Sequence, residues 1–352
     1  MLNSMYSGIS GLGANQKKLD VIGNNVANSG TTSFKSSSVT FQDSMYQSYR
    51  GASGPGLNLG GVNPSRVGMG VSIQSIVTNM KQGSLQPTGR PYDVAVDGTG
   101  YFIVSKGPED GKIDVNPSNQ SMSSEDLENF FTRDGSFKVD NQGNLLNSNG
   151  YRVMGYAIKD DDSTDKKLSI EGDRKVYYVN GESAKLNATQ DKLVALKVPE
   201  VISKPAVDNN GVPITPTTYV DVRIQGFSIE NDGLIKAILA DGSTTILGQV
   251  AMASFTNNEG LEQKGNNLYS PSANSGNALV RVGKYDKTNT AMKAKDNGEA
   301  YGQVMNGFLE MSNVDLSAQF TDMIVATRSF QACGKIITTA DEILQELVNL
   351  KR

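Results

Sequence analysis

The chain has 352 residues and a formal net charge of −4, from 33 basic and 37 acidic side chains, with no His, no Trp and one Cys. That length exceeds one ordinary core and implies two or three domains, and the charge offers no basic footprint for nucleic acid or an anionic membrane. Absence of His removes the commonest general base and metal ligand, and a lone cysteine excludes an internal disulfide framework and a Cys-cluster zinc site.

The first element is helical. On a heptad grid, Leu2, Met5, Ile9, Leu12, Gln16, Leu19, Gly23 and Val26 fall on one line, six of the eight apolar. This predicts an amphipathic helix of about 25 residues whose opposite face carries Ser4, Asn15, Lys17 and Lys18. Asn24, Asn25 and Asn28 are expected to cap its frayed end, with Gly30 supplying positive φ where the chain leaves. The same residues lack a basic leader region and a run of seven apolar residues, so no secretory signal is expected. No stretch reaches the roughly 18 apolar residues of a membrane span. Taken alone, this places the chain in the cytoplasm unless export follows a route without a cleaved signal.

Residues 31–82 read as a linker, because GASGPGLNLGGVNPSRVGMG is too Gly-rich for a regular element. From residue 83 the pattern turns β. YDVAVDGTGYFIV alternates apolar and polar residues around Asp97-Gly98, FFTRDGSFKVD places Asp134-Gly135 between short strands, and residues 219–247 add strands around Asp232-Gly233 and Asp241-Gly242. Each Asp-Gly is a hairpin signal. Polar connectors, AIKDDDSTDKK and SKPAVDNNGVPITPTT, border 157–217. That segment is expected to be an inserted outer β domain, replaceable by a short linker, with the middle β domain built from 83–156 and 218–311.

The last element is again a helix. Leu316, Met323, Phe330, Ile337 and Leu344, with the intervening Gln319, Ala326, Cys333, Ala340 and Leu347, give nine apolar residues in ten, and no proline follows 316. A helix of roughly 35 residues is predicted, capped by Asp315 and favoured at its end by Lys351 and Arg352. The terminal domain therefore comprises 1–30 with 312–352. The two helices are expected to pair, but one pair cannot bury both seams, and an uncovered seam of this size marks an interaction surface.

No catalytic chemistry emerges. Asp160, Asp161, Asp162 and Asp165 lack the glycine and flanking helices of a calcium loop, with Glu171 at the twelfth position. GTGYF and GMGVS are glycine pairs beside strands rather than phosphate loops. Cys333 reads as a small hydrophobe on the helix seam. No cofactor and no metal is expected, and the chain is not read as an enzyme.

Five blocks carry a resemblance. NNVANSGTTSFK (24–35) resembles the N-terminal signature of bacterial flagellar rod and hook proteins, with Ser33 where that family usually has Gly. Residues 83–104, 130–156, 248–276 and 307–352 are similar to its later blocks, in the same order. The motif residues are Asn24, Asn25, Ala27, Asn28, Phe34 and Lys35, with Ser312, Asn313, Val314 and Asp315. Some 90 residues separate the third and fourth blocks, so the chain resembles hook subunits more than distal rod subunits. The resemblance implies β middle domains, discontinuous in sequence, flanked by helices forming a coiled-coil-like terminal domain. It further implies helical self-assembly into a curved, flexible extracellular tube that transmits torque. Implied partners are other copies, the rod, a hook cap, hook–filament junction proteins and the flagellar type III export apparatus, with no nucleic acid and no membrane insertion. Subunit assembly falls to Leu2, Met5, Ile9, Leu12, Leu19, Val26, Leu316, Met323, Phe330, Ile337, Leu344 and Leu347. The alternative from another class is a secreted β-rich glycan-binding or enzymatic protein that its helices oligomerise.

Overall fold

A computed structural model describes residues 2–56, 60–116, 121–124, 126–160, 168–170, 176–181, 183, 186–205, 219–280 and 303–350. The chain divides into two compact units, Met1–Lys81 with Ser312–Arg352, and Gln82–Met311. The expected acidic cluster at 161–165, Glu171, Lys351 and Arg352 lie outside the described residues.

Unit 1 holds helix α1 (Leu2–Ala27), strands β1 (Ser37–Asp43), β2 (Tyr46–Arg50), β3 (Ser65–Gly68) and β4 (Val71–Thr78), and helix α2 (Leu316–Asn349). Both helices match the lengths their periodicity predicts. Asp315 caps α2 as expected: its Oδ1 accepts the Ser317 and Ala318 N–H groups at 2.9 and 3.2 Å, satisfying two of the orphan donors at a helix start. The stretch read as a linker is not structureless. β1 pairs antiparallel with β4, and β2 with β3. The Gly-rich run itself carries β3 and a bridge between Ser53 and Val62, and Val71, Ile73 and Val77 supply the β-branched residues that a glycine count overlooks. Gly30 does not take positive φ; Ser33 does, at 56°.

Unit 2 runs in chain order through β5 (Leu85–Pro87), β6 (Val94–Asp97), β7 (Tyr101–Lys106), β8 (Ile113–Val115), β9 (Met122–Ser123), β10 (Glu128–Thr132), β11 (Lys138–Val139), β12 (Leu145–Leu146), β13 (Arg152–Asp160), β14 (Leu186–Ala195), β15 (Val201–Pro205), β16 (Tyr219–Ile229), β17 (Leu234–Leu239), β18 (Thr244–Val250), β19 (Met252–Ser254), β20 (Glu262–Gly265), β21 (Leu268–Ser270), β22 (Leu279–Val280), β23 (Gln303–Asn306) and β24 (Phe308–Glu310). Sixteen of these, β7 to β22, join in one sheet whose main path is β15-β16-β17-β18-β13-β7-β10-β21-β20. β6 pairs with β23, and β5 with β24, as separate ribbons. Phe102, Val104, Phe137, Val153, Leu196, Ile235, Leu247 and Val250 form the core, each stabilising the fold by about 1.5–3 kcal/mol through burial.

Two of the four Asp-Gly signals are hairpins: β16–β17 and β17–β18 pair across Asp232-Gly233 and Asp241-Gly242. The other two are not. After Asp97, Gly98 and Gly100 take positive φ, at 118° and 137°, and the chain leaves β6 for a different sheet. Gly135 serves close approach instead of a turn: its carbonyl accepts the Val94 N–H at 3.0 Å, and a Cβ there would collide with the Val94 carbonyl.

The described part of 157–217 does not hang outside the sheet. β14 pairs with both β13 and β8, and β15 with β16. Leu193, Leu196 and Ile202 are fully buried, and Leu196 packs on Gly155 and Gly248, where any Cβ would strike its methyl groups. Of the polar connectors that mark this segment in sequence, residues 157–160 lie in β13 and 203–205 in β15; the remainder, 161–167 and 206–218, falls outside the described residues.

The β17–β18 hairpin carries an acid-sensitive contact. The Lys204 ammonium, 2.6 Å from Asp241, together with Ser243, holds the Asp241 carboxyl down to about 2. A depressed carboxyl contributes stability above its unfolded value of about 3.9, and that contribution is lost as pH falls toward 2. The pair is partly solvated, so the effect is modest. Asp241→Asn is expected to flatten the acid limb of stability between about pH 4 and 2, checked by thermal melts across that range.

Candidate assembly surface

The two helices of unit 1 pair antiparallel. Lys18 Nζ reaches Asp322 Oδ1 at 3.0 Å, and Asn25 Nδ2 donates to Gln319 Oε1 at 3.1 Å. Toward the other end, Gly8 lies beside Ile337 and Gly11 beside Cys333. The face of α1 that meets α2 is therefore marked by Gly8, Gly11, Lys18 and Asn25. The helices do pair, and these contacts come from small and polar residues of α1 beside its apolar seam. At 3.6 residues per turn, the line Met5-Ile9-Leu12-Leu19-Val26 lies roughly a third of a turn away from the pairing face. Small residues win this contact because they let the backbones approach closely.

The approach makes a testable demand. A Cβ on Gly11 would lie 2.8 Å from Cys333 Sγ. Gly11→Leu is expected to cost about 1–3 kcal/mol through overpacking and to free α1 from α2. Faster proteolysis of residues 2–27, with unit 2 unchanged, is the readout. Cys333 itself is half-buried, as its reading as a small hydrophobe requires.

The seam residues divide as follows. Ile9 is 53% exposed; Met5, Leu12, Leu19 and Val26 are half-buried. The Leu2 side chain lies outside the described residues. On α2, Met323, Ile337 and Leu344 are half-buried toward α1, while Leu316, Phe330 and Leu347 are exposed. The exposed apolar surface extends beyond the predicted line, with Phe320 and Ile324 on one flank of α2 and Ile336 and Ile343 on the other. A helix apolar around so much of its circumference is one that becomes buried.

The motif residues have a different task. Asn24 and Asn28 make the expected C-terminal cap, Asn28 Nδ2 donating to the Asn24 carbonyl at 3.0 Å, and Ala27 ends α1, exposed. Asn25 does not cap. It is 1% exposed, its Nδ2 donates to the Ser37 carbonyl at 2.7 Å and its Oδ1 accepts the Ser37 N–H at 3.0 Å. It thus ties α1 to the start of β1 and, through Gln319, to α2. Lys35, also buried, donates Nζ to the Lys81 carbonyl at 2.8 Å. Asn313 donates to the Asn79 and Lys81 carbonyls at 2.7 and 3.0 Å and accepts the Ser36 N–H at 2.8 Å. The Phe34 carbonyl accepts the Asn313 N–H at 3.3 Å. Ser312 Oγ accepts the Val314 N–H at 3.3 Å, setting the bend into the Asp315 cap. Two sequence blocks nearly 300 residues apart therefore form one polar knot that anchors both helices. Heptad reasoning missed Lys35 and Asn313 as anchors; the signal was a lysine and an asparagine standing beside apolar or capping positions without a helical period.

Comparison with known proteins matches these same blocks. Residues 5–35 match the model described as flagella basal body rod protein, 121–180 the flagellar hook protein FlgE/F/G D1 domain, and 305–350 the flagellar basal body rod FlgEFG protein C-terminal. The chain is 38% identical to the flagellar basal-body rod protein FlgG of Bacillus subtilis over 352 residues, covering all of both chains. It is 29% identical over 473 residues to the flagellar hook protein FlgE of Borreliella burgdorferi, and 26% identical over 354 residues to the rod protein FlgG of the same organism, again covering all of each chain. Full-length identity at this level, together with family matches that cover both helices, leaves one conclusion: the chain belongs to the family of bacterial flagellar basal-body rod and hook proteins.

Proposed function

We propose that the chain is a structural subunit of the flagellar hook, assembling helically with other copies into a flexible tube between rod and filament. The observation that carries the assembly is the apolar surface left open on α1 and α2, from Ile9 to Phe320, Ile324, Phe330 and Ile343. Full burial of each such side chain is worth about 1.5–3 kcal/mol, and heterologous contacts that do not close generate filaments. In this reading Leu2, Met5, Ile9, Leu12, Leu19, Val26, Leu316, Met323, Phe330, Ile337, Leu344 and Leu347 meet other copies in a coiled-coil-like layer. The rod, a hook cap and junction proteins are its neighbours, and the flagellar type III apparatus exports it without a cleaved signal. No described helix is long and apolar enough to cross a membrane.

Hook rather than rod is supported by a comparison within one organism. The Borreliella hook alignment contains about 137 identical residues, 29% of 473, and the rod alignment about 92, 26% of 354. The second reading, a distal rod subunit, is favoured by the 38% match to the Bacillus subtilis rod protein. Deleting the gene and imaging basal bodies tests both. A complete rod without a hook supports the hook reading, and a shortened rod supports the second.

A further inference from the structure

Unit 2 is entered by the chain at Gln82 and left at Met311, so any force on it through the backbone passes these two segments. They run side by side as a ribbon of only two strands, β5 and β24, with Leu85 opposite Glu310 and Pro87 opposite Phe308. The Met311 N–H donates to the Ser84 carbonyl at 2.9 Å as the last rung. Prying the segments apart opens such a ribbon one hydrogen bond at a time from this end, and among the described residues no third strand joins it. At the same end lies a buried ion pair, Glu310 Oε2 and Arg133 Nη1 at 3.2 Å, with side chains 0% and 5% exposed.

Buried pairs are weak sources of stability, because desolvation offsets their attraction. This one is wired for position. Glu310 Oε1 accepts the Gly83 N–H at 2.9 Å, across the ribbon from its own strand. Arg133 Nη2 donates to the Gly98 carbonyl at 2.6 Å, and its guanidinium sits 5.5 Å from the Tyr101 ring centre. Gln82 Oε1 accepts the Gly98 N–H at 3.0 Å. The incoming and outgoing segments are thus both fastened to the 97–101 turn, whose next strand, β7, lies inside the sixteen-stranded sheet.

We propose that Glu310 and Arg133 form a mechanical latch that stops force at residues 82–84 and 310–311 from unzipping β5 and β24. The latch's purpose rests on the reading of the chain as an axial subunit; its existence does not. The test is amide exchange on the full-length chain with Glu310→Gln, Arg133→Met and the double variant Glu310→Leu/Arg133→Met. The apolar double variant avoids a lone buried charge and is expected to keep a thermal midpoint near that of the wild type. Exchange at Met311, whose acceptor, the Ser84 carbonyl, the substitutions leave in place, should still rise about tenfold or more in it, with β17 and β18 unchanged. If protection at Met311 stays at the wild-type level in a folded double variant, there is no latch. Loss of protection with hooks of unaltered stiffness also overturns the mechanical role. A chain that is absent from the flagellum sinks the axial reading instead, and is seen independently of exchange.

Discussion

Phe330→Asp is expected to leave a folded monomer that cannot assemble. Phe330 is 39% exposed on α2, so in the monomer the new carboxylate stays in water and the helix pair, which meets through Gly8, Gly11 and Ala326, keeps its contacts. Packed against other copies, the same carboxylate loses its water without gaining a partner. That costs several kcal/mol in every subunit, more than a single intersubunit contact supplies. Circular dichroism should match the wild type while electron microscopy shows no tubes and cells lose motility. Normal tubes from the variant would remove Phe330 from the assembly surface.

Replacing 157–217 with a short Gly-Ser linker is expected to unfold unit 2, not to yield straighter tubes. The segment carries β14 and β15 and buries Leu186, Leu193, Leu196 and Ile202. Four aliphatic side chains at about 1.5–3 kcal/mol each approach the whole stability of a typical domain. Gly155 and Gly248 would lose the Leu196 side chain that fills the space above them. Loss of the cooperative thermal transition, together with rapid proteolysis of 82–311, is the expected outcome. A deletion variant with an intact melting transition would show that these two strands are dispensable decoration.

The sequence made some of this legible. Periodicity located both helices to within a residue or two, because a repeat of 3.5 sustained over 25 residues fits a helix and no strand or loop. Asp315 was readable as a cap because capping needs only one side chain and the two or three residues after it. Which residues make the helix pair was not readable, since apolar patterning reports what becomes buried somewhere and not against what. The glycines that α2 lies against, Gly8 and Gly11, stand beside the α1 seam and carry no apolar signal of their own. Among the Asp-Gly pairs, local turn chemistry looks the same whether strands fold back, as at Asp241, or diverge, as at Asp134, where Gly135 exists to let Val94 approach. The insertion at 157–217 looked separable because polar residues border it in the sequence, while β14 holds its place through partners such as Ile113 and Met154, far off in sequence. Lys35 and Asn313 were visible as motif letters, but nothing local to either gives its role, since each bonds to backbone carbonyls of residues 79–81.

The secreted glycan-binding or enzymatic alternative is displaced by family membership, since the relatives match over the whole chain. What remains is whether the open faces of α1 and α2 are the surfaces on which copies meet. Cryo-electron microscopy of hook–basal bodies isolated from cells that make this chain measures that directly. The chain is expected to form the wall of the hook, with the helix pair innermost and Ile9, Phe320, Ile324 and Phe330 buried against neighbouring copies. A wall in which those side chains still face solvent, or an axial structure from which the chain is missing, would contradict it.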